Sequence, residues 1–107
     1  MISTHILDTT LGKPAQNVRV RLEKSNGKTW DHLSDDVTNQ DGRIVFNCAS
    51  IAGDYRLIFE TIDYYKSLSQ DSFFLEAVVA FRVSDVNRKY HVPLLVNPYA
   101  YSTYRGS

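Results

Sequence analysis

Hydrophobic and polar residues alternate with a period of two along most of the chain, and helical spacing is confined to one stretch. Val18, Val20 and Leu22 alternate with Arg19, Arg21 and Glu23, the pattern of a strand with one buried and one wet face. Asn26-Gly27 then supplies a two-residue hairpin signal, so a return strand is expected to begin near Lys28 and run through Trp30. A second turn, Asn39-Gln40-Asp41-Gly42, leads into Arg43-Ile44-Val45-Phe46, where Ile44 and Phe46 face inward. Tyr55, Leu57 and Phe59 alternate with Arg56, Ile58 and Glu60 in the next strand. From Thr61 to Gln70, Ile62, Tyr65 and Leu68 fall at three-residue steps without glycine or proline, which predicts a short connecting helix. Val79, Phe81 and Val83, then Tyr90, Val92 and Leu94, then Tyr99 to Tyr104 give three further strands, and Thr4 to Asp8 gives the first. About eight strands with a turn every ten residues or so suit an all-β fold, a two-sheet antiparallel β-sandwich with one short helix.

Strand parity places the polar residues. If Tyr90, Val92 and Leu94 point into the sandwich, His91 points out of it; likewise Arg43 lies opposite Ile44 and Phe46, and His5 opposite Ile6. For the last strand the parity is ambiguous, since Tyr99, Tyr101, Thr103 and Arg105 share one face while Ala100, Ser102 and Tyr104 share the other. Either assignment leaves aromatic rings on a sheet exterior, as expected of a face covered by another subunit.

A chain of 107 residues fits one domain, 1–107, and so small a domain gains stability and enclosed space by self-association. Twelve acidic residues balance twelve basic ones, so no overall charge draws the chain to nucleic acid or to an anionic membrane. No apolar run is long enough to span a bilayer, and Met1-Ile2-Ser3-Thr4-His5 lacks the charged-then-apolar pattern of a signal peptide. A cytoplasmic location is therefore expected, or a periplasmic one if a signal was removed before the numbering begins. Cys48 has no partner for an internal disulfide and no motif around it, and reads as a small buried apolar residue.

The candidate chemistry rests on His5 and His91, Arg43, and the closing Tyr104-Arg105-Gly106-Ser107. Each alone has an ordinary explanation: an outward histidine is usually a solvated side chain, a strand-end arginine is usually solvated too, and a terminal Arg-Gly-Ser is usually frayed. His32, with no motif around it, keeps that ordinary reading. No serine sits in a glycine-flanked nucleophile elbow, and neither His-Glu-x-x-His nor a cysteine cluster offers a metal site.

Together these residues carry a resemblance. His5-Ile6-Leu7-Asp8-Thr9, Gly12-Lys13-Pro14-Ala15, Asp41-Gly42-Arg43, Tyr90-His91-Val92-Pro93-Leu94-Leu95 and Tyr101-Ser102-Thr103-Tyr104-Arg105-Gly106-Ser107 resemble the transthyretin-related 5-hydroxyisourate hydrolases over nearly the whole chain. The closing Tyr-Arg-Gly-Ser is similar to the hydrolase branch and differs from the ending of the hormone-carrying transthyretins. The chain departs from the family at Phe73-Phe74-Leu75, where a proline commonly follows the phenylalanines, and at Lys89, where a histidine is frequent; both lie outside the proposed catalytic group.

The resemblance implies a transthyretin-like (prealbumin-like) sandwich assembled as a homotetramer, a dimer of dimers, with sites in the channel between dimers. It implies hydrolysis of a cyclic amide of 5-hydroxyisourate, the unstable product of urate oxidation, to 2-oxo-4-hydroxy-4-carboxy-5-ureidoimidazoline, with no cofactor and no metal. The catalytic set then falls on His5, Arg43, His91 and Ser107, with Arg43, Tyr104, Arg105, Gly106 and Ser107 contacting substrate. The chemistry agrees: opening an amide ring needs an activated water, a donor for the oxyanion and a proton for the departing nitrogen. Histidine, with an ordinary pKa of about 6.5, suits the first and third. His5 and His91 share them, the division between the two being open. Arg43 suits the second because a planar guanidinium makes paired charge-assisted bonds. Ser107 offers its hydroxyl, a terminal carboxylate, or both. Two other classes compete: a non-catalytic transthyretin-like carrier of small aromatic ligands in the same channel, and a structural sandwich without a site.

Overall fold

Nine strands and one helix account for the regular structure of the described residues, 1–47 and 51–107, of this computed structural model. Cys48, read from sequence as buried, lies outside the described residues. The elements are β1 (Ile2–Asp8), β2 (Lys13–Pro14), β3 (Arg19–Ser25), β4 (Trp30–Val37), β5 (Arg43–Phe46), β6 (Gly53–Phe59), α1 (Thr61–Ser67), β7 (Ala77–Val83), β8 (Tyr90–Asn97) and β9 (Ala100–Thr103). One sheet runs β4-β3-β6-β7; the other runs β2-β1-β8-β9, with β5 also paired to β1. The two-sheet sandwich expected from alternation is therefore present. Its pairings are antiparallel except one, β1 with β8, which run parallel over all seven residues of β1.

The core forms where the inward parity sets of both sheets meet. Ile6 and Leu94 of one sheet and Val20, Leu22, Tyr55, Leu57 and Phe59 of the other are fully buried, and Ile44 and Phe46 are buried as their parity requires. Burying a side chain of this size contributes about 1.5–3 kcal/mol relative to leaving it in water, so a one-residue slip in any of these strands would be strongly disfavoured.

Two local expectations are corrected. The first hairpin is wider than a two-residue turn: Ser25 pairs with Trp30, so β4 starts at Trp30 and the loop holds Asn26 to Thr29. The Asn26 side chain explains this, because its Oδ1 accepts both the Lys28 and Thr29 N–H groups, at 2.9 Å each, and so organises the longer loop. Helix α1 exists, but it buries Thr61, Tyr64 and Tyr65 while Leu68 is exposed, so its inner face is not the Ile62/Tyr65/Leu68 row. The Tyr64 phenol fixes that rotation: it donates its hydroxyl to Oδ2 of the fully buried Asp8 at 2.8 Å, and Asp8 Oδ1 accepts from the Thr10 and Leu11 N–H groups. Burial, and then the bond to Asp8, push the Tyr64 phenol well above its ordinary pKa, so it stays a donor. Asp8 thereby anchors one end of β1, the strand whose other half carries Ser3 and His5.

The last strand resolves its parity. Tyr101 pairs with the buried Val96 and so shares its face, where its ring meets Phe74 edge-on; Ala100 and Ser102 take the opposite face with Asn97 and Leu95. All four residues of β9 are exposed because β9 is an edge strand, as β7 is in the other sheet.

Candidate active site

The outer face of the β2-β1-β8-β9 sheet gathers the candidate residues by register alone. In β1 the buried positions are Ile2, Thr4, Ile6 and Asp8, which leaves Ser3, His5 and Leu7 on the outer face. His5 pairs directly with Arg43 of β5, and Ser3 pairs directly with His91 of β8. His91 therefore lies one strand across and two residues along from His5. With about 3.3 Å of rise per residue and about 4.8 Å between strands, their Cα atoms are separated by roughly 8 Å.

Arg43 is delivered there by the turn before it. Asn39 Oδ1 accepts the Asp41 N–H at 2.9 Å and the Arg43 N–H at 3.0 Å, and the Gly42 carbonyl accepts from Ile6 N–H at 2.8 Å. Gly42 has φ of 70°, and a Cβ on it would stand 2.6 Å from the Ile6 carbonyl oxygen. Only glycine lets this turn lie against β1 and set Arg43 opposite His5.

His91 is pinned on two sides. Its Nδ1 is 2.8 Å from Ser3 Oγ. On the other side the segment following β9 folds back so that the Gly106 N–H donates to the His91 carbonyl at 2.8 Å, an isolated antiparallel bridge. A Cβ on Gly106 would fall 2.5 Å from His91 Cδ2 and 3.2 Å from Cγ, so the glycine backbone rests directly on the imidazole. Tyr104 and Arg105 border a cavity of about 340 Å³ together with His91 and Tyr90. The Arg105 guanidinium lies 5.0 Å above the Tyr90 ring, a cation–π contact. Ser107 follows Gly106 and is exposed.

Both imidazoles are held below their ordinary pKa. For His5 the largest cause is loss of solvation and the next is the Arg43 charge, opposed by a hydrogen bond with the Asp41 backbone and by the Asp41 carboxylate. For His91 the causes are burial, then Arg43, then His5, all in the same direction. Both shifts favour the neutral ring, whose nitrogen lone pair can accept a proton, and the guanidinium beside them can stabilise developing negative charge.

The four residues His5, Arg43, His91 and Gly106 thus meet on one surface, with Ser107 adjoining. His32 lies away in β4, where its Nε2 is 3.4 Å from Asp35 Oδ2, a solvated surface pair. Sequence reasoning missed Ser3. The signal was present, since Ser3 is two residues before His5 and period two puts both on one face. It also gave Gly106 only to substrate contact, and the structure adds a packing contact with the His91 ring. Among the described residues, no group of three or more His, Cys, Asp or Glu side chains is placed to hold a metal ion.

A family model described as the HIUase/Transthyretin family matches residues 2–106. A 5-hydroxyisourate hydrolase of Salmonella typhimurium is 48% identical over 110 residues, spanning 100% of this chain and 81% of that protein. Among solved structures, Klebsiella pneumoniae 5-hydroxyisourate hydrolase superposes with a TM-score of 0.88 at 37% identity, covering 99% of this chain and 98% of that one. Sea bream transthyretin, solved in complex with thyroxine, superposes with a TM-score of 0.90 at 27% identity, over 98% of this chain and 93% of that one.

Proposed function

The chain belongs to the HIUase/Transthyretin family, and we infer that it hydrolyses 5-hydroxyisourate. The observation that carries this reading is the 48% identity across the whole chain to a hydrolase of that name, beside a face on which two imidazoles and a guanidinium are strand neighbours. A water molecule attacks the carbonyl carbon of the cyclic amide. One histidine takes its proton, Arg43 hydrogen-bonds the oxyanion that forms, and as the C–N bond breaks an imidazolium returns a proton to the departing nitrogen. Tyr104, Arg105 and Ser107 contact the rest of the substrate. No cofactor is needed, because every proton is moved by an imidazole, which can both accept and return one.

The assembly we propose is a homotetramer, a dimer of dimers. Its support is the exposure of apolar surface around the site, Val45 at 51% and Tyr104 at 58%, together with the open edges of β7 and β9. A second copy over the outer face would close a channel around His5, Arg43 and His91 and remove water from it.

The transthyretin likeness favours a second reading, a carrier of small aromatic ligands. Freshly generated 5-hydroxyisourate separates the two. Loss of its ultraviolet absorbance faster than the spontaneous rate, first order in protein, is the expected result; saturable binding without accelerated loss would overturn the hydrolase.

Gly106→Ala tests the packing of the signature against His91. The added methyl has no room beside Cδ2, so the imidazole must leave its rotamer, at a cost of about 0.5–1.5 kcal/mol. We expect kcat/KM to fall roughly tenfold with little change in thermal midpoint, read by steady-state kinetics and calorimetry side by side.

A further inference from the structure

We propose that Ser3 is a positioning residue for His91, its hydroxyl accepting a hydrogen bond from Nδ1–H so that Nε2 is the nitrogen that faces water and substrate. This rests on the hydrolase reading for its kinetic consequences but not for its geometry. Ser3 and His91 are direct partners across the parallel β1–β8 pair, so their side chains leave the same face side by side, and Ser3 Oγ lies 2.8 Å from Nδ1. The opposite edge of the ring, at Cδ2, is closed by Gly106. With Nδ1 engaged and Cδ2 covered, Nε2 is the ring atom left for chemistry.

A base that accepts at Nε2 must carry its own proton on Nδ1. The Ser3 oxygen accepts a hydrogen bond from that N–H in the neutral ring and continues to accept it once Nε2 has been protonated, so no rearrangement accompanies the proton transfer. A hydroxyl also does this without adding charge. The groups around His91 are His5 from β1, Arg43 from β5, and Tyr90, Tyr104, Arg105 and Arg82 bordering the cavity on its other side. No carboxylate is among the groups that shift His91; Asp41 acts on His5, and the Ser107 terminus follows Gly106 at the ring edge opposite Ser3. The histidine consequently stays neutral and base-competent, where an aspartate at position 3 would favour the imidazolium.

Ring-nitrogen NMR of His91 in the folded protein, with no substrate present, reads the placement directly. The parent is expected to show a protonated Nδ1 and an unprotonated Nε2. Ser3→Ala should move both resonances toward the average of an unbiased tautomer mixture, and Ser3→Thr should restore the parent pattern. Identical patterns in the parent and Ser3→Ala, or a parent proton on Nε2, would overturn the assignment whether or not the chain turns substrate over. In turnover, Ser3→Ala should lower kcat roughly tenfold with KM within about twofold, the scale of one well-placed hydrogen bond. Ser3→Thr should stay near the parent. Ser3→Asp should move the acid limb of the pH–rate profile to higher pH, because a carboxylate beside His91 raises its pKa and the base form is then lost at higher pH. An unmoved limb in Ser3→Asp, with kcat of Ser3→Ala equal to the parent, would leave Ser3 with no role at His91.

Discussion

Replacing His91 with asparagine is expected to lower kcat for 5-hydroxyisourate hydrolysis by about two to four orders of magnitude, the usual worth of a positioned acid–base group. The substitution is chosen because it removes proton transfer and little else. Asparagine presents an amide near the place of Nδ1 and can keep a hydrogen bond to Ser3 Oγ, and the bridge from the Gly106 N–H uses the backbone carbonyl of residue 91, which any residue supplies. Residue 91 is only half-buried and its neighbours in β8, Tyr90 and Val92, supply the core contacts, so the fold should not register the change. A circular-dichroism melt within a few degrees of the parent, alongside the loss of turnover, is the expected pair of observations. Turnover within a factor of two of the parent would remove His91 from the reaction and leave His5 to carry both proton transfers.

The residues that sequence parity assigned correctly are those whose environment is set by the strand they sit on. Ile44 and Phe46 inward with Arg43 outward, or Tyr90, Val92 and Leu94 inward with His91 outward, follow from the pleat alone. What parity does not carry is which strand lies beside which. The parallel pairing of β1 with β8 joins residues about 88 positions apart, and this register, together with the pairing of β5 with β1, makes Ser3, His5, Arg43 and His91 neighbours. Their convergence was legible only through the family resemblance, which bears on His5, Arg43 and His91 but is silent on Ser3. The rotation of α1 failed for a related reason. A seven-residue helix has too few turns for apolar spacing to fix its inner face, and a long-range bond from Tyr64 to Asp8 decides it instead. Gly106 was noticed as part of a motif, yet its physical reason, a backbone resting on an imidazole, is a contact between chain segments that spacing cannot reveal.

Arg43→Lys should lower kcat/KM by about a hundredfold while leaving the acid limb of the pH–rate profile where the parent has it. The two halves of this expectation separate geometry from charge. A guanidinium opposite His5 can give two parallel N–H donors to an oxyanion, and losing one oxyanion donor typically costs about 10²–10³ in rate. Lysine offers a single point charge on a flexible stem, so the loss should fall on transition-state stabilisation. The charge is nevertheless retained, and it is the positive charge of Arg43 that helps hold both imidazoles below their ordinary pKa. Arg43→Gln removes that charge as well. Both histidine pKa values should then rise, the neutral base form should be lost at a higher pH, and the acid limb should shift upward, in the direction opposite to the lowering seen in the parent. The shift should be largest at low ionic strength, because Arg43 is exposed on the single chain and salt screens its field. An Arg43→Lys enzyme with unimpaired kcat/KM would exclude paired hydrogen bonding to the oxyanion, and an Arg43→Gln profile superimposable on the parent would show that the cation does not tune the histidines.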